Sequence, residues 1–272
     1  DGARGGSVKS VRVEQQDLVI RVVLSRPDVR NAFDGETIAD LTDVFRKIAD
    51  GRIGTGARVV QLVGEGGSFC AGADLNYMKS MAGFSREENA LDAERLFAMF
   101  ETVRSCPLPV IAHVHGHAMG GGVGLTACAD IALAESGTKF AFSEVRLGII
   151  PAVISPFVLS RMNPGWARRW MMTGEVFDAD QAFAAGLVSF VGTSDQVVAE
   201  KARLVKVFCE VGPEAVRETK MLIRDVVGRD PLDVQERVTE AIADRRVSAE
   251  GQEGLRAFLE KRDPSFRRGV KV

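Results

Sequence analysis

Strand-like apolar runs alternate with amphipathic helical stretches over the first two thirds of the chain, and the remainder is almost wholly helical. Those two observations predict an α/β fold with a helical C-terminal region. A third sharpens them: the run Gly120-Gly121-Gly122 lies between the apolar stretch Val110-Ile111-Ala112 and a short helical pattern. Glycines there allow close approach of backbone to a ligand, and helix-start N–H groups stabilise negative charge.

The elements follow in order. Val11 to Val13 and Leu18 to Leu24 are β-branched and aliphatic runs, joined by Glu14-Gln15-Gln16-Asp17 as a hairpin. Thr37 to Ala49 places Ile38, Leu41, Val44, Phe45 and Ile48 at helical spacing. Val59 to Val63 reads as a buried strand that runs into the turn Gly64-Glu65-Gly66-Gly67. Ser85 to Glu88 has capping-box spacing, opening a helix whose apolar face carries Leu96, Phe97, Phe100 and Val103. Val110 to Val114 and Asp130 to Ala134 are strands on either side of the glycine run. From about Asp195 the pattern is helical, with breaks at Pro213, Pro231 and Pro264. The expected division is a core over 7–192 and a helical region over 193–272.

Composition narrows the function. With 272 residues, 46% hydrophobic and a formal net charge of −2, the chain has neither the basic excess of a nucleic-acid binder nor a sustained basic stripe. Pro107 to Ala129 lacks Asp, Glu, Lys and Arg and is long enough to suggest a membrane span. Its histidines, glycines and two prolines read instead as a buried strand, a turn and a buried helix. Cys70, Cys106, Cys128 and Cys209 are spaced for neither metal nor redox pairs, which suits reduced thiols in a cytoplasmic setting. The polar stretch Asp1 to Ser10 reads as a disordered leader or appended remnant, outside the fold.

Two local patterns compete with the glycine run. His113, His115 and His117 alternate, and on one strand face they could ligate zinc, but Gly116 is expected to break the strand before His117. Gly122-Val123-Gly124-Leu125-Thr126-Ala127 fits a loose dinucleotide fingerprint, yet it does not directly follow its strand, and another strand begins too soon after it. Ser68-Phe69-Cys70-Ala71-Gly72-Ala73-Asp74-Leu75 is a second small-residue turn at a strand end. Two such turns can aim two backbone N–H groups at one oxygen, an arrangement that stabilises a developing oxyanion.

Four segments carry a resemblance to the enoyl-CoA hydratase and isomerase (crotonase) family. They are Ser25-Arg26-Pro27 through Asn31-Ala32-Phe33, Ser68 to Leu75, Ile111 to Asp130, and Phe142 to Pro151. The likeness extends weakly to Phe258 and Lys261. It implies a spiral of strand-strand-helix repeats and an acyl-CoA thioester as substrate. It further implies Ala71 and Gly121 as the oxyanion-holding N–H donors. Val29, Arg30, Ala32, Ala73, Asp74, Leu75 and Gly124 would contact substrate or its coenzyme A, and Phe258 and Lys261 would approach from the helical end. Trimers or dimers of trimers are implied, with coenzyme A entering only as part of the substrate and with no metal or other cofactor.

Glu144, beside apolar Phe142 and Val145, is the expected proton-transfer group, since burial raises a carboxyl's pKa toward neutrality. Pairing with Arg146 is the competing reading. Typical hydratases of the family carry a second glutamate just after the glycine run, and here that position is Gly124. One carboxylate suffices to move a proton between carbons, so the loss favours isomerisation. Against that, Gly122 to Leu125 with Glu144 to Pro156 resembles a bacterial hydratase branch similar to methylglutaconyl-CoA hydratase. The preferred expectation is therefore a hydro-lyase acting on a 2-enoyl-CoA, with a branched, methylglutaconyl-like acyl group as a candidate. A double-bond isomerase using Glu144 alone comes second, and a non-catalytic acyl-CoA binder third. Tyr77, Met78 and Met81 either line the acyl pocket or pack on the core.

Overall fold

Runs of Val, Ile and Leu without alternating polar residues suit strands buried on both faces, the condition of a parallel sheet. Such a sheet organises the computed structural model, which describes residues 10–269. The leader reading (apart from Ser10), residues 7–9 of the expected core and residues 270–272 of the helical end lie outside the described residues.

β1 (Val11–Gln16) pairs antiparallel with β2 (Val19–Leu24). Gln16 faces Val19, so the connection is Asp17-Leu18 alone, with Asp17 at φ 49°. Glu14 to Gln16, expected in the turn, extend the strand. After α1 (Gly35–Ala49), β3 (Val59–Gly64) lies parallel to β2. Next come α2 (Leu75–Met81), α3 (Arg86–Arg104), β4 (Val110–Val114), β5 (His117–Met119), α4 (Gly121–Cys128), β6 (Ile131–Glu135) and β7 (Lys139–Ala141). A 3-10 turn at Glu144–Leu147 leads to α5 (Ser155–Leu159), α6 (Pro164–Thr173), β8 (Phe177–Asp178), α7 (Ala179–Ala184), β9 (Phe190–Gly192) and α8 (Ser194–Glu210). α9 (Pro213–Val226), α10 (Gln235–Val247) and α11 (Ala249–Leu259) are the last helices of the described chain.

The large sheet has the order β1-β2-β3-β4-β6-β9, and every pair after the first is parallel. A smaller sheet, β5-β7-β8, stands beside it. Two isolated parallel bridges, Phe33 with Ala73 and Cys70 with Ala118, continue the small sheet's ladder past β5. The chain therefore lays a strand in the large sheet, then an extended piece in the small ladder, then helix, and repeats. β2, Phe33 and α1 form one such unit; β3, Cys70 and α2–α3 form the next; β4, β5 and α4 form a third.

One face of the large sheet packs Val22, Leu62, Ala112 and Val114 against Phe45, Met99 and Phe100. The other buries Val59, Ile111 and Leu133 under Val197, Val205 and Cys209 of α8. α8 thus covers the core sheet, although the sequence pattern groups it with the helical end; the helices that lie beyond the sheet begin with α9. Capping boxes open α3 at Ser85 and α8 at Thr193, each satisfying two otherwise unpaired N–H groups. No helix among the described residues is long and apolar enough to cross a membrane.

Candidate active site

The bridges of the small ladder bring three sequence-distant turns side by side. Residues 29–33 leave a 3-10 turn through left-handed Arg30 (φ 53°) and Asn31 (φ 56°). Phe33 N donates to Gly72 O (2.7 Å), and Asp74 N donates to Phe33 O (2.7 Å). Cys70 N donates to His117 O and Met119 N to Cys70 O, both at 3.0 Å. Gly72 has φ +90°, and a Cβ on it would stand 2.8 Å from Met119 O, so only glycine permits this lacing.

This pattern decides which N–H groups stay free. Ala71 N–H donates to Arg30 O at 3.0 Å and is occupied, which removes it from the oxyanion role expected of it. Because Gly72 O and Asp74 N take the two bonds to Phe33, the Ala73 N–H between them faces away from Phe33. Among the described residues, the N–H groups of Ala73 and Gly121 have no acceptor. Ala73 is exposed, and Gly121 is the first residue of α4, where the helix dipole is positive. The available pair of donors is Ala73 and Gly121.

Glu144 closes the group. Gly120 adopts φ +48°, and a Cβ there would lie 3.1 Å from Glu144 Oε1, so the glycine lets the carboxylate reach the start of α4. Glu144 Oε2 is buried with no hydrogen-bond partner, the only such side-chain atom among the described residues. Burial pushes the Glu144 carboxyl above its ordinary pKa, opposed only by a hydrogen bond from its own backbone. Arg146 instead lies against Gly174, whose added Cβ would be 3.1 Å from its Nε, and no Glu144–Arg146 ion pair forms among the described residues.

Several expected contacts are corrected. Gly124 faces packed hydrocarbon: a Cβ there would be 2.6 Å from Ile154 Cγ2 and 2.9 Å from the Phe100 ring, so it is a packing position without open space. Asp74 is buried, its Oδ1 capping α2 through Asn76 N and Tyr77 N and its Oδ2 paired with Arg26 (3.2 Å), so its carboxylate is already occupied. Ala32 is buried, whereas Val29, Arg30 and Leu75 are exposed along the same rim. Phe258 is 80% exposed on α11, which packs chiefly on α9 and α10, so within one chain it stands apart from the other residues of this site, and an approach of Phe258 and Lys261 across a subunit boundary is left open. Tyr77 packs on the core and donates to Asp92.

Two organising residues have no role assigned by the sequence pattern. Asn31 is buried and donates to Glu65 O (2.9 Å) and Ser68 O (2.8 Å) while accepting from Arg26 N (2.9 Å). Arg26 binds Ala32 O (2.6 Å), Asp34 (2.9 Å) and Asp74. Their place in the Ser25 to Phe33 segment, beside a proline and at a turn, is the signal that could have found them. The three histidines separate as well: His113 meets Glu135, His115 meets Gly66 O, and His117 meets Ser68. All four cysteines are free and buried.

Comparison with known proteins identifies the family of the chain. A family model described as enoyl-CoA hydratase/isomerase matches residues 14–269. The chain is 29% identical to a crotonyl-CoA hydratase of Syntrophomonas wolfei, covering 95% of this chain and 98% of that one. It is also 29% identical to (E)-benzylidenesuccinyl-CoA hydratase of Thauera aromatica, over 94% and 98%. The crystal structure of an enoyl-CoA hydratase from Shewanella pealeana superposes with a TM-score of 0.90 at 35% identity, covering 95% and 96%.

Proposed function

Because the chain belongs to the enoyl-CoA hydratase/isomerase family, and is an enzyme of hydro-lyase type acting on acyl-CoA, we propose that Glu144 alone carries both proton transfers of its reaction. The observation behind this is the buried, unpartnered Oε2 of Glu144, whose carboxylate lies beside Gly120 at the start of α4.

In this reading the thioester oxygen accepts hydrogen bonds from the Ala73 and Gly121 N–H groups. Ionised Glu144 takes a proton from water as the water oxygen bonds to C3, and the electron pair of the double bond moves toward the thioester oxygen. The resulting enolate is held by the two fixed donors, each worth about 3 kcal/mol in comparable sites. Protonated Glu144 then returns its proton to C2, which completes the addition of one water. No electrons leave the substrate, so the reaction calls for no redox cofactor, and activity should survive a chelator.

Arg30, exposed on the rim and bonded through its carbonyl to the Ala71 N–H, is suited to the phosphates of coenzyme A. A branched, carboxylated acyl group rests on the likeness of the Gly122–Leu125 and Glu144–Pro156 segments to methylglutaconyl-CoA hydratases. The exposed apolar side chains Leu255, Phe258 and Leu259 of α11 support a trimer or dimer of trimers, which native mass measurement would test. A cytoplasmic setting rests on the four unpaired thiols.

Isomerisation is the second reading, and the hydrocarbon packed against Gly124 favours it, because no second carboxylate is there to hold water. Product mass separates the two. A 2-enoyl-CoA with a 3-methyl branch that gains one water supports hydration; interconversion with its 3-enoyl isomer at constant mass overturns it.

A further inference from the structure

The two histidines His113 and His115, left aside by the active site, lie on the opposite side of the large sheet. In-register pairing puts Arg21, Gln61, Val63 and His113 on the face that α8 covers, with Glu135 at the end of the same face of β6. Four groups line up there. Ser194 Oγ donates to Glu135 Oε1 (2.8 Å), Glu135 Oε1 meets His113 Nε2 (3.0 Å), and His113 Nδ1 stands 3.5 Å from Lys201 Nζ. Lys201 has no carboxylate within 4 Å among the described residues, and it lines a cavity of about 470 Å³ together with Arg21 and Gln61.

A nucleophile, a base within reach and a third group that orients the base make up the usual signature of an activated side chain. Here the order is carboxylate, imidazole, amine. Glu135 accepts the Nε2 proton of His113 and so leaves Nδ1 as the acceptor aimed at the amine. Burial holds the Lys201 ammonium below its ordinary pKa, and Arg21 adds to this. Burial also lowers His113, with Lys201 acting in the same direction against Glu135, so the imidazole is neutral and can take a proton. His115, whose ring centre is 5.8 Å from that of His113, is a further titratable neighbour of the imidazole, and Glu14, Asp17 and Arg21 line the cavity with Lys201.

We propose that Lys201 is a nucleophilic amine that becomes covalently acylated by acyl thioesters, with His113 as its base and Glu135 as the orienting group. His113 removes a proton from the ammonium, and the free amine attacks the thioester carbonyl carbon. The C–N bond forms, the C–S bond breaks, and the thiolate leaves with the proton from His113. The products are an amide on Lys201 and a free thiol, with one proton released to solvent. That this reagent class reaches the protein rests on the acyl-CoA reading above.

The test treats the full-length protein with crotonyl-CoA and, separately, with the acetyl thioester of N-acetylcysteamine, which needs no coenzyme A site. Acylation at each lysine is followed by peptide mass mapping. Lys206, exposed on the same helix, is the internal reference. Lys201 should react about 100-fold faster than Lys206, the lower end of what a positioned base contributes. His113→Asn and, with less disturbance of packing, Glu135→Gln should bring it toward the Lys206 rate, while Lys201→Arg should remove the product and leave enoyl-CoA turnover unchanged. Equal rates at Lys201 and Lys206, or a Lys201 rate indifferent to Glu135→Gln, would overturn the proposal. Absence of enoyl-CoA turnover would instead count against the hydratase reading and leave the N-acetylcysteamine result to stand on its own.

Discussion

Glu135 and Glu144 are separated by nine positions, the first ending β6 and the second following β7, and are both half-buried, yet the fold drives them in opposite directions. For Glu135 the burial penalty is outweighed by hydrogen bonds from Ser194 and His113, and its pKa falls. Glu144 suffers the same kind of penalty with one oxygen left unpartnered, and its pKa rises. The contrast teaches that burial alone does not make a carboxyl reactive; burial without compensation does. Glu135 is held ionised by its partners, whereas Glu144 keeps an unpartnered oxygen and a raised pKa.

The largest test of that contrast is turnover. Glu144→Gln should cut kcat by about 100-fold or more, the range lost with a positioned acid–base group, whereas Glu135→Gln should leave hydration rates unchanged. Comparable losses in both variants would erase the distinction. Next in size is Gly124→Glu, which adds a carboxylate where Ile154 and Phe100 already fill the space. Overpacking costs about 1–3 kcal/mol, and the buried charge adds to it. A Tm lowered by about 5 °C or more is expected; an unchanged Tm with raised activity would mean that the pocket accepts a second carboxylate.

Stability against pH sharpens the comparison further. A lowered pKa means that Glu135 contributes stability present above the unfolded carboxyl value and lost as pH falls through the folded one. Glu135→Gln should therefore lose about 1 kcal/mol near neutrality, with the gap closing in acid. Glu144 has the reverse sign: its contribution is present below the unfolded value and is lost as pH rises through the raised folded value. Glu144→Gln should then melt slightly higher than the parent at pH 7, and a lower melting point would contradict an uncompensated charge. The smallest effect is kinetic. Water addition needs ionised Glu144, so kcat/KM should fall toward acid with a midpoint above the ordinary glutamate range, and a midpoint at or below that range would place the charge in a compensated setting.

Part of the site is legible in the residues alone. Glu144 is identifiable from its apolar neighbours, and Gly120-Gly121-Gly122 from its place between strand and helix. The pattern points to Ala71 where the fold leaves Ala73 free, because a run of small residues does not reveal which N–H groups are already bonded; the bridge at Phe33 binds alternate groups and leaves the Ala73 N–H without an acceptor. Gly124 reads as pocket because the groups that fill its space, Phe100 and Ile154, arrive from 24 and 30 positions away.

What the sequence determined by itself was local. Hydrophobic period set the strands and helices, Ser85 and Thr193 set helix starts, and polarity set which chain faces water, because each depends on neighbours within a few residues. The tertiary structure alone decided which turns meet, which backbone donors remain free, that α8 covers the sheet and that Lys201 faces His113. Those outcomes depend on parallel pairing between segments far apart in the chain, where register, not composition, selects the partner of each group.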